Sequence, residues 1–273
     1  MRCSPAAVLV LLALSLPAVW SQTKTITFGQ PDGERHPNVG ALVAEYIVPG
    51  QKDVICSGTL IGPGVFLTAA HCTAYLQSIG IAASQVWVTF DAQFRDSGTF
   101  HKGTMHTNPA YNWRQADPGD LAVVVLDTPI VDIAPASLPP VGLLDQLAVK
   151  NGLKDQPFTA VGYGASELRI GGGPPSYTYP DTRKYGVEKF NALNAAWIHL
   201  SQNPATGNSG ACYGDSGGPN FLGNLQNEDL DHPGMVVAIT VTGDAMCRAT
   251  NVVYRLDTPS ARAFLEGYLA TPD

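Results

Sequence analysis

The most informative segment of this 273-residue sequence is Cys212-Tyr213-Gly214-Asp215-Ser216-Gly217-Gly218-Pro219. Its glycines flank Ser216, and a turn without side chains lets a substrate carbonyl approach the backbone closely. In such a turn the N–H groups of Gly214 and Ser216 would form an oxyanion hole, which stabilises a negatively charged tetrahedral intermediate. Serine is a weak nucleophile near neutral pH, so this chemistry also needs a base and an acid that orients the base.

Two other segments supply that base and that acid. His71 ends the stretch Leu67-Thr68-Ala69-Ala70-His71-Cys72, at the end of a predicted strand. Asp120 precedes the apolar run 121–126, where an acid beside the imidazole would hold its tautomer and stabilise the imidazolium. A lone histidine or aspartate is more often structural, but the order His, Asp, Ser separates this set from other triad-bearing folds. We identify His71, Asp120 and Ser216 as the candidate catalytic triad.

The composition favours an all-β protein, because 28 glycines and 21 prolines punctuate the chain as the turns of short strands would. β-Branched or alternating segments form two groups of similar size: 39–47, 55–61, 65–69, 86–90 and 121–126, then 158–163, 183–191, 196–200, 235–241 and 252–256. Four prolines within 129–140 predict the connection between the two units. One helix is predicted near the C-terminus, with Thr258 as its N-cap and Pro259 at its first position. Residues 166–182 lack periodicity and predict a surface loop.

The first 21 residues predict a secretory signal peptide. Arg2 precedes an apolar run over 6–19, shorter than the roughly 20 apolar residues that span a bilayer, and small residues fit a cut after Ser21. No later segment is long and apolar enough to span a membrane, so we expect a secreted, extracellular protein without membrane contact.

The net charge and the cysteines restrict the function further. Removal of the signal peptide takes away Arg2 and no acidic residue, so the formal net charge changes from −7 to −8, which argues against a nucleic-acid partner. Cys56, Cys72, Cys212 and Cys247 remain, an even number that predicts two disulfides.

The motifs resemble those of the trypsin/chymotrypsin family over nearly all of the mature chain. The resemblance implies two antiparallel six-stranded Greek-key β-barrels with a C-terminal helix, an N-terminal barrel over 22–130 and a C-terminal barrel over 131–273. His71 and Asp120 would come from the first barrel and Ser216 from the second. Gly162-Tyr163-Gly164 looks like the family's Gly-Trp-Gly segment. The implied disulfides are Cys56–Cys72 and Cys212–Cys247.

The resemblance also implies a substrate pocket formed by Gly210, Ala211, Tyr213, Thr240, Thr242 and Val252. The position at the pocket floor, six residues before the nucleophile, is Gly210 and carries no carboxylate. A buried cationic side chain would lack a partner there, which argues against cleavage after Arg or Lys. Thr242 and Val252 in place of the family's glycines would narrow the pocket. We therefore expect a secreted serine endopeptidase that cleaves after small or medium apolar residues.

The N-terminal region departs from the family pattern. Activation in the family releases an Ile-Val-Gly-Gly terminus whose ammonium pairs with the aspartate before the nucleophile, here Asp215, but this sequence contains no such string. We expect a second cut near Lys24 that releases Thr25 or Ile26. The alternative is that an internal donor satisfies Asp215, because a buried unpaired carboxylate is costly.

Other functions fit the sequence less well. A catalytically silent homologue acting as a binding module would typically lack a triad member, and an esterase with a Gly-x-Ser-x-Gly elbow would carry its histidine after its serine. The remaining histidines match no metal-ligand spacing, so we expect no metal and no cofactor. The expected partners are protein or peptide substrates and protein protease inhibitors, and the protein is expected to be a monomer.

Overall fold

The structure, a computed structural model, describes residues 26, 28–166, 168–169, 176–179, 181–225 and 234–269. The predicted signal peptide and the predicted cut near Lys24 lie outside the described residues. So does most of the glycine-rich part of the predicted loop over 166–182.

The N-terminal half forms a closed β-barrel. A short strand β1 (Gln30–Pro31) precedes it, and its six strands run in the order β2-β3-β4-β7-β6-β5 with every pairing antiparallel. The strands are β2 (Val39–Ala44), β3 (Asp53–Gly62), β4 (Val65–Thr68), β5 (Val86–Thr89), β6 (His101–Thr107) and β7 (Ala122–Leu126). Their apolar side chains are buried, and Phe66 of β4, which pairs with Val124 of β7, is fully buried together with it.

The C-terminal half forms a second barrel, in the order β11-β12-β15-β14-β13-β8, which closes where β8 pairs with β11. Its strands are β8 (Pro157–Gly162), β11 (Lys184–Leu193), β12 (Trp197–Ser201), β13 (Pro219–Leu222), β14 (Val236–Gly243) and β15 (Thr250–Arg255). The two-residue strands β9 (Leu168–Arg169) and β10 (Ser176–Tyr177) pair with each other, and β1 extends the second barrel by pairing with β11. The predicted pair of six-stranded antiparallel barrels is confirmed.

Three α-helices accompany the barrels in the described part of the chain: α1 (Ala70–Ser78), α2 (Leu143–Ala148) and α3 (Pro259–Leu269). Short 3₁₀ turns occupy Val149–Asn151 and Pro204–Thr206. The predicted C-terminal helix is present, and the Thr258 hydroxyl accepts a hydrogen bond from the Ala261 N–H at 3.2 Å as an N-cap does. None of the helices formed by the described residues is long and apolar enough to cross a membrane.

A buried arginine joins the two barrels. Arg183, directly before β11, is fully buried and donates from Nε to the buried carboxylate of Asp32 at 2.7 Å. Its Nη1 also donates to the carbonyls of Val39 and Phe90 in the first barrel, at 2.9 and 2.8 Å. A buried charge is tolerated only when it is paired and hydrogen-bonded, so these contacts fix how the barrels sit against each other.

Candidate active site

His71 lies in the first turn of α1, and not at the end of a strand as the sequence predicted. The strand β4 ends at Thr68, and the helix begins two residues later, at Ala70. No side chain within the helix's own sequence caps its N-terminus. Asp120, which lies just before β7, supplies the acceptor instead, because its Oδ1 accepts the backbone N–H of His71 at 2.8 Å. One carboxylate therefore caps the helix and fixes the backbone of His71.

The second oxygen of Asp120 orients the imidazole ring. Asp120 is 3% exposed, and its Oδ2 lies 2.8 Å from Nδ1 of His71. A buried carboxylate on Nδ1 holds the proton there and leaves Nε2 as the basic nitrogen. The His71 side chain is 31% exposed, so its ring remains accessible to a reactant.

Ser216 lies in a glycine turn that is held by the first barrel. Gly214 and Gly217 adopt φ values of +95° and +78°, which favour glycine. A Cβ on Gly217 would lie 2.3 Å from Oγ1 of Thr68, so no side chain fits there. Ser57 on β3 donates its N–H to the Ser216 carbonyl at 2.9 Å and its hydroxyl to the Gly214 carbonyl at 3.0 Å. The turn of the second barrel thus depends on a strand of the first.

Two backbone donors remain available in this turn. The N–H groups of Asp215, Gly217 and Gly218 donate to backbone carbonyls. Those of Gly214 and Ser216 donate to no acceptor among the described residues. Two unoccupied N–H groups beside a serine are what an oxyanion hole requires. In the described part of the chain no hydrogen bond joins Ser216 to His71, a contact that is often loose in a site without substrate.

Asp215 is satisfied by internal donors. It is 2% exposed; its Oδ1 accepts the N–H of Gly164 and its Oδ2 that of Cys212, both at 2.8 Å. Burial raises the pKa of Asp215 to about 6, while these two bonds and the positive charge of Lys184 act in the opposite direction. A Cβ on Gly162 or Gly164 would lie 2.2 or 2.5 Å from the Asp215 carboxylate, which explains the glycines of Gly162-Tyr163-Gly164.

Both predicted disulfides are present. Cys56–Cys72 ties β3 to α1 beside His71, with the two Cα atoms 6.4 Å apart. Cys212–Cys247 joins two segments that line a cavity next to Ser216, with the Cα atoms 5.3 Å apart. Within the described residues, the group with metal-ligand proximity is Cys56, His71 and Cys72. Its two cysteines are disulfide-bonded and offer no thiolate, so this group does not fit a metal.

A cavity of about 210 Å³ opens beside Ser216. The predicted pocket residues that line it are Ala211, Tyr213, Thr240 and Thr242. Gly210 and Val252 do not line it: Gly210 lies against Glu188 and Gln202, and Val252 pairs with His199 and Thr242 in the sheet.

Three polar residues that the sequence analysis did not identify also line this cavity: Gln202, Asp244 and Asn251. Asp244 accepts the N–H groups of Arg248, Ala249 and Thr250, at 2.7 to 3.2 Å, and these bonds lower its pKa against the effect of burial. The composition of the strands gave no signal for these residues, because single polar side chains near strand ends are usually solvated.

Comparison with known proteins agrees with this geometry. The family model described as Trypsin matches residues 34–264, a range that includes His71, Asp120 and Ser216. The chain is also 27% identical over 176 residues to a protein named vitellin-degrading protease from Bombyx mori, and the match covers 60% of this chain and 61% of that relative. The chain thus spans about three fifths of the length of this curated relative. A family model that covers most of the chain, together with the two barrels, shows that the chain belongs to the trypsin family.

Proposed function

We propose that the protein is a serine endopeptidase that hydrolyses peptide bonds through an acyl-enzyme intermediate. The observation that carries this proposal is the pair of 2.8 Å hydrogen bonds by which Asp120 fixes both the backbone and the ring of His71. The glycine turn of Ser216 packs against Thr68 and Ala69, just before His71 in the chain. Membership of the trypsin family supports the same activity.

In this mechanism the triad and the turn of Ser216 act together. The Ser216 hydroxyl attacks the carbonyl carbon of the scissile bond, and its proton passes to Nε2 of His71. The oxygen that becomes negative accepts the N–H groups of Gly214 and Ser216. The imidazolium then protonates the leaving amine, and His71 afterwards activates the water that hydrolyses the acyl-enzyme. Asp120 stabilises the imidazolium in both halves of the reaction.

An extended polypeptide needs space on both sides of the scissile bond. The 210 Å³ cavity lies on the Ser216 and Tyr213 side. A second cavity, of about 610 Å³, is lined by Gly214 together with Tyr46 and Tyr179 among others. The turn of Ser216 therefore contributes Tyr213 and Ser216 to the first cavity and Gly214 to the second. This arrangement supports cleavage within a chain, with the smaller cavity as the pocket for the residue before the cut.

We propose that this pocket takes small or medium uncharged side chains. Gly210 contributes no carboxylate, and Thr240 and Thr242 contribute walls of moderate size. Asp244 lines the cavity, but its oxygens accept backbone N–H groups of its own loop. A discrimination of about 1–3 kcal/mol per methylene makes the preference among apolar residues graded.

Two disulfides support secretion into an oxidising compartment after removal of residues 1–21. The proposed domain division stays at 22–130 and 131–273. We further propose a monomer that works without a cofactor and whose partners are protein substrates and protein inhibitors.

The contacts of Asp215 bear on activation. Two backbone N–H groups hold its carboxylate, and the buried Lys184, whose ammonium donates to the hydroxyl of Ser166, contributes a favourable charge. These contacts favour the internal-donor alternative over a second cut near Lys24. We infer that the oxyanion turn is organised without a newly released N-terminus.

Replacement of Ser216 by alanine tests the proposed activity. The Ser216→Ala protein should lose hydrolysis of a peptide library and covalent labelling by a fluorophosphonate, while its thermal unfolding stays within about 2 °C of wild type. Ser78→Ala, which removes an exposed hydroxyl on α1, serves as the matched control and should keep both signals. Wild-type turnover by purified Ser216→Ala protein would overturn the mechanism, and an inactive wild type would favour the binding-module alternative.

A further inference from the structure

A fully buried carboxyl group lies beneath the floor of the cavity beside Ser216. Glu188 on β11 has no exposed surface. It accepts hydrogen bonds from Nδ2 of Asn251 at 3.1 and 3.2 Å and from the N–H of Ala211 at 3.3 Å. The Asn220 amide is satisfied when its nitrogen faces Glu188, where it donates to Oε2 at 3.3 Å. Asn251 and Ala211 also line the cavity, so Glu188 is separated from a bound side chain by a single layer of groups.

A second acceptor lies against the same carboxyl group. The side-chain nitrogen of Gln202 donates to Oδ1 of Asp244 at 3.3 Å and to the carbonyl of Thr250 at 3.4 Å, which fixes the orientation of its amide. Its Oε1 is buried and accepts no hydrogen bond within the described residues. A Cβ on Gly210 would lie 2.1 Å from Oε1 of Glu188 and 2.5 Å from Oε1 of Gln202. Two acceptor oxygens therefore border one small space.

A proton on Glu188 would resolve this conflict. An ionised carboxylate beside an unsatisfied amide oxygen would combine repulsion between acceptors with the desolvation of a charge. A protonated carboxyl group supplies an O–H for the unpaired oxygen of Gln202, and its Oε2 still accepts from Asn251. Burial raises the pKa of Glu188 to about 8; the hydrogen bonds from Asn251 and Ala211 oppose this effect, and the charge of Asp215 adds to it.

We propose that Glu188 is a specificity-determining residue that keeps the pocket floor neutral while it is protonated and makes the floor attractive to a cationic side chain when it ionises. The proposal rests on the proposed function, because it names the substrate class that the same site accepts. Near neutral pH the floor matches an uncharged side chain, and in alkaline solution the preference shifts toward a positive one. Asp244, whose pKa is lowered, stays ionised over this pH range, so its effect on the substrate preference does not change with pH.

A matched pair of peptide substrates measures the effect. One carries arginine before the scissile bond and the other citrulline, which has the same shape without the charge. The ratio of their kcat/KM values cancels every pH effect on the chemical step, which both substrates share. Between pH 6.5 and 9.5 this ratio should rise at least about tenfold for the wild type, with a midpoint near 8, because a new charge close to a cation in a low-dielectric site is worth at least that factor.

Glu188→Gln is the matched variant, since glutamine reproduces the neutral carboxyl group and cannot ionise. Its ratio should not rise near pH 8, whereas a change near pH 6 caused by Asp215 would remain. A flat ratio in the wild type, or an equal rise in both proteins, overturns the proposal.

A second measurement tests the proposal even if both substrates are cleaved slowly or the variant folds poorly. Benzamidine and its neutral analogue benzamide are compared as inhibitors of wild-type hydrolysis of a substrate with alanine before the cut. The proposal requires the affinity of benzamidine, relative to that of benzamide, to increase at least about tenfold between pH 6.5 and 9.5. An unchanged relative affinity refutes it. Absence of hydrolysis of every substrate would instead refute the proposed function.

Discussion

Replacing Glu188 by glutamine also isolates the energetic cost of burying an ionisable group under the second barrel's cavity. In the unfolded chain Glu188 releases its proton near its ordinary pKa of 4.5, whereas in the folded protein burial raises that pKa to about 8. Between these two pH values the folded state binds a proton that the unfolded state has lost. The stabilising contribution is therefore complete below pH 4.5 and is lost as the pH rises through the folded pKa.

The size of the effect follows from the width of this window. Each pH unit between 4.5 and 8 removes about 1.4 kcal/mol from the free energy of unfolding, which amounts to about 5 kcal/mol over the whole window. Glutamine cannot titrate, so the variant lacks this loss. We expect the free energy of unfolding of Glu188→Gln, relative to wild type, to increase steadily from pH 5 to pH 8 and then to level off.

Urea unfolding followed by tryptophan fluorescence at pH 5, 6.5, 8 and 9, with disulfides intact, measures this difference. Both proteins should carry Ser216→Ala to prevent self-digestion. Asp215 and the surface groups titrate in both proteins and cancel in the comparison. If the difference in unfolding free energy were the same at pH 5 and at pH 9, Glu188 would be ionised in the folded protein across this range and the reasoning would be refuted.

Activation and the contact between the barrels give two further expectations. Protein beginning at Gln22 should have the same kcat/KM as protein trimmed to Thr25, because internal donors already hold Asp215; a marked gain on trimming, with the termini verified by sequencing, would support an N-terminal ammonium instead. Arg183→Met should lower the free energy of unfolding in urea by about 3–5 kcal/mol, because it leaves a buried aspartate without its guanidinium, whereas the exposed Arg114→Met should change it by under about 0.5 kcal/mol.

The barrels were predictable because their strands carry strong patterns. The strands of the first barrel that the sequence identified are rich in Val, Leu and Phe, as in β4 and β7. The strand β6 was not identified, since its sequence His-Lys-Gly-Thr-Met-His-Thr places only Gly103 and Met105 at buried positions. The strand β13 was missed for a different reason, because it begins at Pro219 directly after a glycine pair that indicates a turn. Proline is acceptable as the first residue of a strand.

The helix α1 shows why local sequence is sometimes insufficient. Its N-terminus has no capping side chain of its own, and the acceptor for the His71 N–H is Asp120, 49 residues later in the sequence. This contact depends on the tertiary fold, because the pairing of β4 with β7 brings Asp120 next to His71. The residues that the sequence motifs indicate for their chemistry thus also determine the local fold.

The floor of the cavity shows a second feature that the local sequence does not reveal. Gly210 was correctly noted as a position without charge, but the reason for its glycine is the pair of oxygens from Glu188 and Gln202 that a Cβ would meet. Those residues lie on different segments, 22 and 8 positions earlier, and nothing local distinguishes Glu188 from a solvated strand residue between Val187 and Lys189. Whether an acid acts on the pocket therefore depends on which strands the barrel brings together and on whether that acid keeps its proton. Both follow from burial and hydrogen bonding, which a motif at the nucleophile does not encode.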